Sequence, residues 1–110
     1  MSGMEIAPKE ASRLLQQEPE RHLLLDCRTP EEWAIARVQG SMLVPMADIA
    51  GRLEELTEHD HRTILVLCHH GVRSLRVAAF LRQNGFDSAL SIAGGIDRWA
   101  AEVDPGVGVY

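Results

Sequence analysis

Apolar positions along the chain change period repeatedly. Ala11, Leu14 and Leu15 recur at helical spacing among charges, so residues 7–17 predict a helix. Three consecutive leucines, Leu23, Leu24 and Leu25, sit within His22–Asp26 and predict a short strand buried on both faces. The next stretch, Thr-Pro-Glu-Glu-Trp, is a helix start. Thr29 can cap it, Pro30 suits the first helical position, and Glu32 stands where a capping box needs an acid. Residues 41–44 read as a short apolar strand ended by Pro45. Ile49, Leu53 and Leu56 share one side of a helix predicted over 47–56, and Thr63–Leu67 predicts another strand. Residues 74–84 are helical and apolar over most of their girth, with Gly85 as C-cap. A last strand over 88–92 leads to the Gly94-Gly95 turn and a helix over 96–102. Residues 105–110 read as an irregular C-terminal tail.

Strands alternating with helices imply β-α-β units: a single α/β domain over residues 1–110, with a mainly parallel sheet covered by helices on both faces. In such sheets ligands bind beyond the carboxyl ends of the strands. Two strands end there in polar punctuation, Asp26-Cys27-Arg28 and Cys68-His69-His70.

Composition narrows the function classes. The net charge of -5, from 11 basic and 16 acidic residues, argues against a nucleic-acid binder, which carries a basic surplus. No apolar run reaches the roughly 18 residues that span a bilayer. The first eight residues lack the basic start and apolar stretch of a secretory signal. Two cysteines in such a chain fit a reducing, cytoplasmic setting with free thiols.

The stretch Cys-His-His-Gly-Val-Arg-Ser, residues 68–74, carries the chemistry. Placing Cys68 at a strand end and Arg73 at a helix start leaves a tight loop in which Gly71 can take positive φ. Successive backbone N–H groups of a loop curling into a helix converge on one point and form an anion nest. Cys68 stands at that focus. Its thiolate is expected to be stabilised by the amides of 69–74, the helix dipole and Arg73, with the Ser74 hydroxyl nearby. His69 and His70 make the loop titratable without being required by its geometry.

Here the chain resembles the rhodanese-type sulfurtransferases. "CHHGVRS" is similar to their active-site loop. "LLLDCRTPEEWAIARVQGSMLVP" is similar to their first signature and "LSIAGGIDRWAAEVDP" to their last, so the likeness runs over nearly the whole chain. It implies a rhodanese-like α/β fold with a five-stranded sheet. It further implies a reaction in which Cys68 takes a sulfane sulfur as a persulfide and hands it on, with no cofactor. Arg73 would bind the anionic donor, and His69, His70, Gly71, Val72 and Ser74 would line the substrate loop. The implied partners are thiosulfate or a low-molecular-weight persulfide as donor, a thiol or cyanide as acceptor, and a sulfur-relay protein. Cysteine phosphatases place five residues between cysteine and arginine, since their loop wraps a tetrahedral phosphate; here there are four. One departure is Ala36-Arg37, where many relatives carry Gly-His, and Arg37 is given no catalytic role.

Plainer readings apply elsewhere. Cys27 follows a buried strand and reads as a packing thiol, a resolving role being the minority alternative. Asp26 and Arg28 are expected to support the loops by an ion pair or backbone hydrogen bonds. Cys68, His69 and His70 are adjacent and lack zinc-site spacing, so no metal is expected, and His59 and His61 sit in a polar loop. Trp33 and Trp99 read as packing residues, and Glu31-Glu32 and Glu54-Glu55 as helix-start and helix-surface features. Two other classes stay open: a non-catalytic recognition module of this fold, and a thiolate-based phosphatase or arsenate reductase-like enzyme.

Overall fold

The computed structural model describes residues 3–110. Residues 1 and 2, part of the stretch read for a secretory signal, lie outside the described residues. In chain order the elements are β1 (Glu5–Ile6), α1 (Pro8–Gln17), β2 (His22–Asp26), α2 (Pro30–Ile35), β3 (Met42–Leu43), α3 (Leu53–Leu56), β4 (Thr63–Leu67), α4 (Val72–Gln83), β5 (Leu90–Ile92) and α5 (Gly95–Glu102). The five strands form one parallel sheet in the order β1-β5-β4-β2-β3.

The apolar runs explain the layers. Ile64, Leu65, Val66 and Leu67 are all fully buried, because the pleat sends alternate residues to opposite faces and each face is covered. Ile64, Val66 and Cys68 join Cys27, Val44, Ile49, Leu56, Val77 and Leu81 in one core. Leu65 and Leu67 join Ala11, Leu24, Ile92, Ile96 and Trp99 in the other. Burying each such aliphatic side chain contributes roughly 1.5–3 kcal/mol. β4 is therefore the spine of the molecule, and the loop leaving its carboxyl end is rigidly mounted. No helix among the described residues is long and apolar enough to cross a membrane.

Several segments differ from the sequence reading, among them the short β1, which it did not predict. The helix expected over 47–56 breaks into 3-10 turns at Met46–Asp48 and Ala50–Arg52, the short α3, and a further 3-10 turn at Thr57–His59. Gly51 favours neither helix nor burial, and in this stretch only Ile49 and Leu56 are buried, too few anchors to hold a continuous helix. α4 begins two residues earlier than predicted, with Gly71 as its N-cap at φ 96°. Residues 105–110 contain a 3-10 turn at Pro105–Val107 and end with Tyr110 packed against the loop after β4.

Candidate active site

β2 and β4 pair with Asp26 opposite Leu67, and the Cys27 N–H donates to the Leu67 carbonyl at 2.9 Å. The residues that directly follow the two strands, Cys27 and Cys68, therefore stand beside one another at the carboxyl edge of the sheet. The loop after Cys68 is clamped from below. The Ile96 N–H donates to the Cys68 carbonyl at 2.7 Å, and the Asp97 N–H to the His69 carbonyl at 3.2 Å. The first turn of α5 thus spends its free donors on this loop. That contact needs Gly95, since a Cβ there would run into the carbonyl oxygens of Cys68 and His69.

With its backbone fixed, the loop turns its amides onto sulfur. The Gly71 N–H lies 3.0 Å and the Ser74 N–H 3.3 Å from the Cys68 Sγ. Ser74 is the third residue of α4, so the helix N-terminus faces the thiol. The thiol donates to the Ser74 Oγ at 3.2 Å, and that hydroxyl shares a 2.7 Å hydrogen bond with the Ser91 Oγ on β5. All three side chains are buried. The chain of hydroxyls serves either protonation state. With a thiol, Ser74 accepts from sulfur and donates to Ser91. With a thiolate, both hydroxyls reverse, and Ser74 donates to sulfur. Ser91 was not legible as a site residue, because a lone serine within a strand carries no motif.

Arg73 stands in the first turn of α4, at the helix start expected for it. Its guanidinium forms a two-pronged pair with Glu32, Nη1 to Oε1 at 2.7 Å and Nη2 to Oε2 at 2.9 Å, instead of hydrogen-bonding the sulfur. Cys68 remains near enough to act on Arg73 through space. Glu32 has the capping role that its spacing predicts: Thr29 and Glu32 form the complete capping box of α2. Its carboxylate also accepts from the Tyr110 hydroxyl at 2.7 Å. Arg73 beside it, with the Thr29 amide and the Tyr110 phenol adding to the effect, holds the Glu32 carboxyl far below the usual carboxylate range, against the opposing pull of partial burial. Glu32 in turn raises the Arg73 guanidinium further above its ordinary value.

Asp26 and Arg28 are both fully buried and form an ion pair, Nε to Oδ1 at 2.9 Å and Nη2 to Oδ2 at 2.7 Å. The Arg28 Nη2 also donates to the Ala36 carbonyl, tying β2 to the end of α2. Its Nη1 donates to the Tyr110 oxygen at 2.8 Å. A guanidinium has no acceptor, so the phenol accepts from Arg28 and spends its own proton on Glu32. A continuous hydrogen-bonded chain results: Asp26, Arg28, Tyr110, Glu32, Arg73. The Tyr110 ring stacks on His69 at 4.0 Å between centroids, and His69 stacks on His70 at 3.8 Å. The exposed His70 approaches Asp97 at 3.9 Å, and Val72 points outward, 64% exposed. Burial, then the neighbouring Cys68 and Asp26, pushes the Cys27 thiol up to about 12, so Cys27 stays protonated at neutral pH. Trp99 is buried in the core, whereas Trp33 is half-buried beneath the Arg37 guanidinium, 5.2 Å from its ring centroid.

Neither of two cavities in the described residues touches the loop after β4. One, of about 640 Å³, opens around His22, Val38, Trp99 and Val103, toward the opposite end of β2. The other, of about 140 Å³, lies between Met46, Ile49, Val77 and Phe80. Cys68, at 1% exposure, sits beneath its loop and not in either.

Residues 7–102 match the model of the rhodanese-like domain. The chain belongs to the rhodanese-like domain family. It is 33% identical over 99 residues to "Thiosulfate sulfurtransferase GlpE" of Actinobacillus succinogenes, covering 90% of this chain and 86% of that one. It is 35% identical over 119 residues to "Adenylyltransferase and sulfurtransferase MOCS3" of Arabidopsis thaliana, covering 96% of this chain but only 25% of that protein. Among solved structures, a rhodanese-like domain protein from Staphylococcus aureus superposes with a TM-score of 0.79 at 28% identity, covering 96% of this chain and 97% of the other. The five-stranded parallel sheet with helices on both faces is thus the rhodanese-like fold, as the sequence resemblance implied. Tyr110 lies beyond the residues that the rhodanese-like domain matches.

Proposed function

We propose that this rhodanese-like domain is a sulfurtransferase that moves a sulfane sulfur from a donor such as thiosulfate to a thiophilic acceptor through a persulfide on Cys68. The observation that carries the reading is the focus of the Gly71 and Ser74 amides and the Ser74 hydroxyl on the Cys68 sulfur, at the N-terminus of α4. In the first half-reaction the Cys68 thiolate attacks the outer sulfur of thiosulfate. A new S–S bond forms, the donor's S–S bond breaks, and sulfite leaves with its electron pair. In the second, cyanide or a thiolate attacks the outer sulfur of the persulfide and Cys68 leaves as thiolate, held again by the same donors. Arg73, paired with Glu32 beside the loop, is the cation the anionic donor would engage. His69, His70 and Val72 line the approach, and the buried Asp26–Arg28 pair keeps the strand end and α2 in register. Cys68 must stay reduced, which suits a cytoplasmic setting. Relatives named as adenylyltransferase and sulfurtransferase support a sulfur-relay protein as a physiological partner. The four-residue gap between Cys68 and Arg73 favours attack at sulfur over phosphate chemistry.

Thiocyanate formation from thiosulfate and cyanide tests the proposal. The wild type turns over, and Cys68→Ser falls by at least about a thousandfold, as expected for loss of a covalent nucleophile. Turnover retained in Cys68→Ser would remove Cys68 from the mechanism.

A further inference from the structure

Arg73, in the first turn of α4 just past the Cys68 loop, is already paired with a carboxylate. Both terminal guanidinium nitrogens are engaged by the Glu32 carboxylate, and the buried Arg28 guanidinium is neutralised by Asp26. Glu32 is held in place from several sides. Its Oε1 also accepts from the Thr29 N–H at 3.1 Å, and its Oε2 from the Tyr110 hydroxyl. Tyr110 is fixed in turn by Arg28 and by stacking on His69. An anion that seeks Arg73 must either bind beside a carboxylate or drive Glu32 away, and driving it away also breaks the charge-assisted bond to Tyr110.

Resting on the sulfurtransferase reading above, we propose that Glu32 and Tyr110 form a charge latch on Arg73 that sorts sulfur donors by their charge, disfavouring small dianions such as thiosulfate relative to monoanionic donors. Both are positioning residues: they act through Arg73 and touch neither the sulfur nor its amide cradle. The repulsion between a fixed carboxylate and a donor scales with the donor's charge, so a dianion suffers about twice the penalty of a monoanion at the same distance. Donors of thiosulfonate or alkyl persulfide type, with one negative charge or less at the transferable sulfur, enter without releasing Arg73. Tyr110 adds to the selectivity by raising the cost of moving Glu32. The sequence hid this arrangement, because Glu32 lies 41 residues from Arg73 and 78 from Tyr110.

Equilibrium binding in a Cys68→Ser background tests the latch without turnover, using thiosulfate and benzenethiosulfonate as dianionic and monoanionic probes. Adding Glu32→Gln should tighten thiosulfate by at least about fivefold, with a clearly smaller gain for benzenethiosulfonate. Adding Tyr110→Phe should move thiosulfate in the same direction by less, about twofold. Gln at position 32 preserves the capping hydrogen bond, and Phe at 110 preserves the ring stack, so both variants are suited to fold; thermal unfolding checks this. Equal or weaker thiosulfate binding in folded Glu32→Gln, or equal gains for both probes, would overturn the latch. Sulfur loading of the wild type is read separately. If it fails while the binding shifts appear, the latch stands and the sulfurtransferase reading falls; if it succeeds without them, the reverse holds.

Discussion

Gly95 shows how little freedom single residues have around the sulfur. It takes positive φ, and any Cβ there meets the carbonyl oxygens of Cys68 and His69. Those carbonyls are the ones that α5 clamps, so a displaced Gly95 would shift the loop whose amides face Cys68. Gly95→Ala should cost at least about 2 kcal/mol of stability in chemical denaturation, from backbone strain plus overpacking. It should also lower sulfur transfer more than a comparable core substitution far from the loop; equal losses would show that Gly95 serves packing alone. At this scale the sequence was informative about motif residues and silent about their quiet neighbours. Cys68, Gly71 and Ser74 stood out through their place in a loop between strand and helix and the likeness of that loop and its flanks to the rhodanese signatures. Ser91 did not, because its role exists only once β5 lies beside α4. Cys27 is the converse case, a chemically suggestive residue that burial keeps as a protonated thiol.

At the scale of elements, the start of α2 has two jobs. The Thr-Pro-Glu-Glu pattern announced a capping box and delivered it, because capping is local and needs only spacing. The same Glu32 then reaches across to α4 and holds Arg73, which no local rule encodes. The pair is mostly shielded from solvent, so its loss matters. Glu32→Gln should destabilise the fold by about 2 kcal/mol near neutral pH, the scale of charge-assisted hydrogen bonds. The sign with pH is set by the lowered Glu32 value. Its contribution is complete above the unfolded carboxyl value of about 4.3 and fades as pH falls below it toward the folded value. Arg73, raised further, stays charged throughout. Urea unfolding at pH 7 and pH 3 should therefore show the gap between wild type and Glu32→Gln narrowing in acid; an unchanged gap would mean that the carboxylate charge contributes nothing. The uneven helix over 46–59 marks where periodicity misleads. Apolar spacing was present, but only Ile49 and Leu56 reach the core, and Gly51 interrupts.

For the whole molecule, the layout was legible because a parallel sheet covered on both faces demands continuous apolar strands, and His22–Asp26 and Thr63–Leu67 have that pattern. The two-residue β1 escaped detection, since Glu5–Ile6 is too short to show any period and exists by pairing with β5. The docking of the tail was invisible for a related reason. Tyr110 gains its place from Arg28, Glu32 and His69, three residues brought together only by the finished fold. The fold achieves a thiol at the edge of a rigid sheet, with a helix N-terminus and two amides aimed at it and its charged neighbours paired among themselves. The central claim is that this thiol carries sulfur. Intact mass of the protein, measured under non-reducing conditions after incubation with thiosulfate and desalting, tests it most directly. The wild type should gain the mass of one sulfur atom, located by fragmentation on Cys68, lose it on addition of cyanide, and Cys68→Ser should gain nothing. A wild type that gains no sulfur from thiosulfate or from a thiosulfonate, or a Cys68→Ser variant that still gains it, would contradict the account.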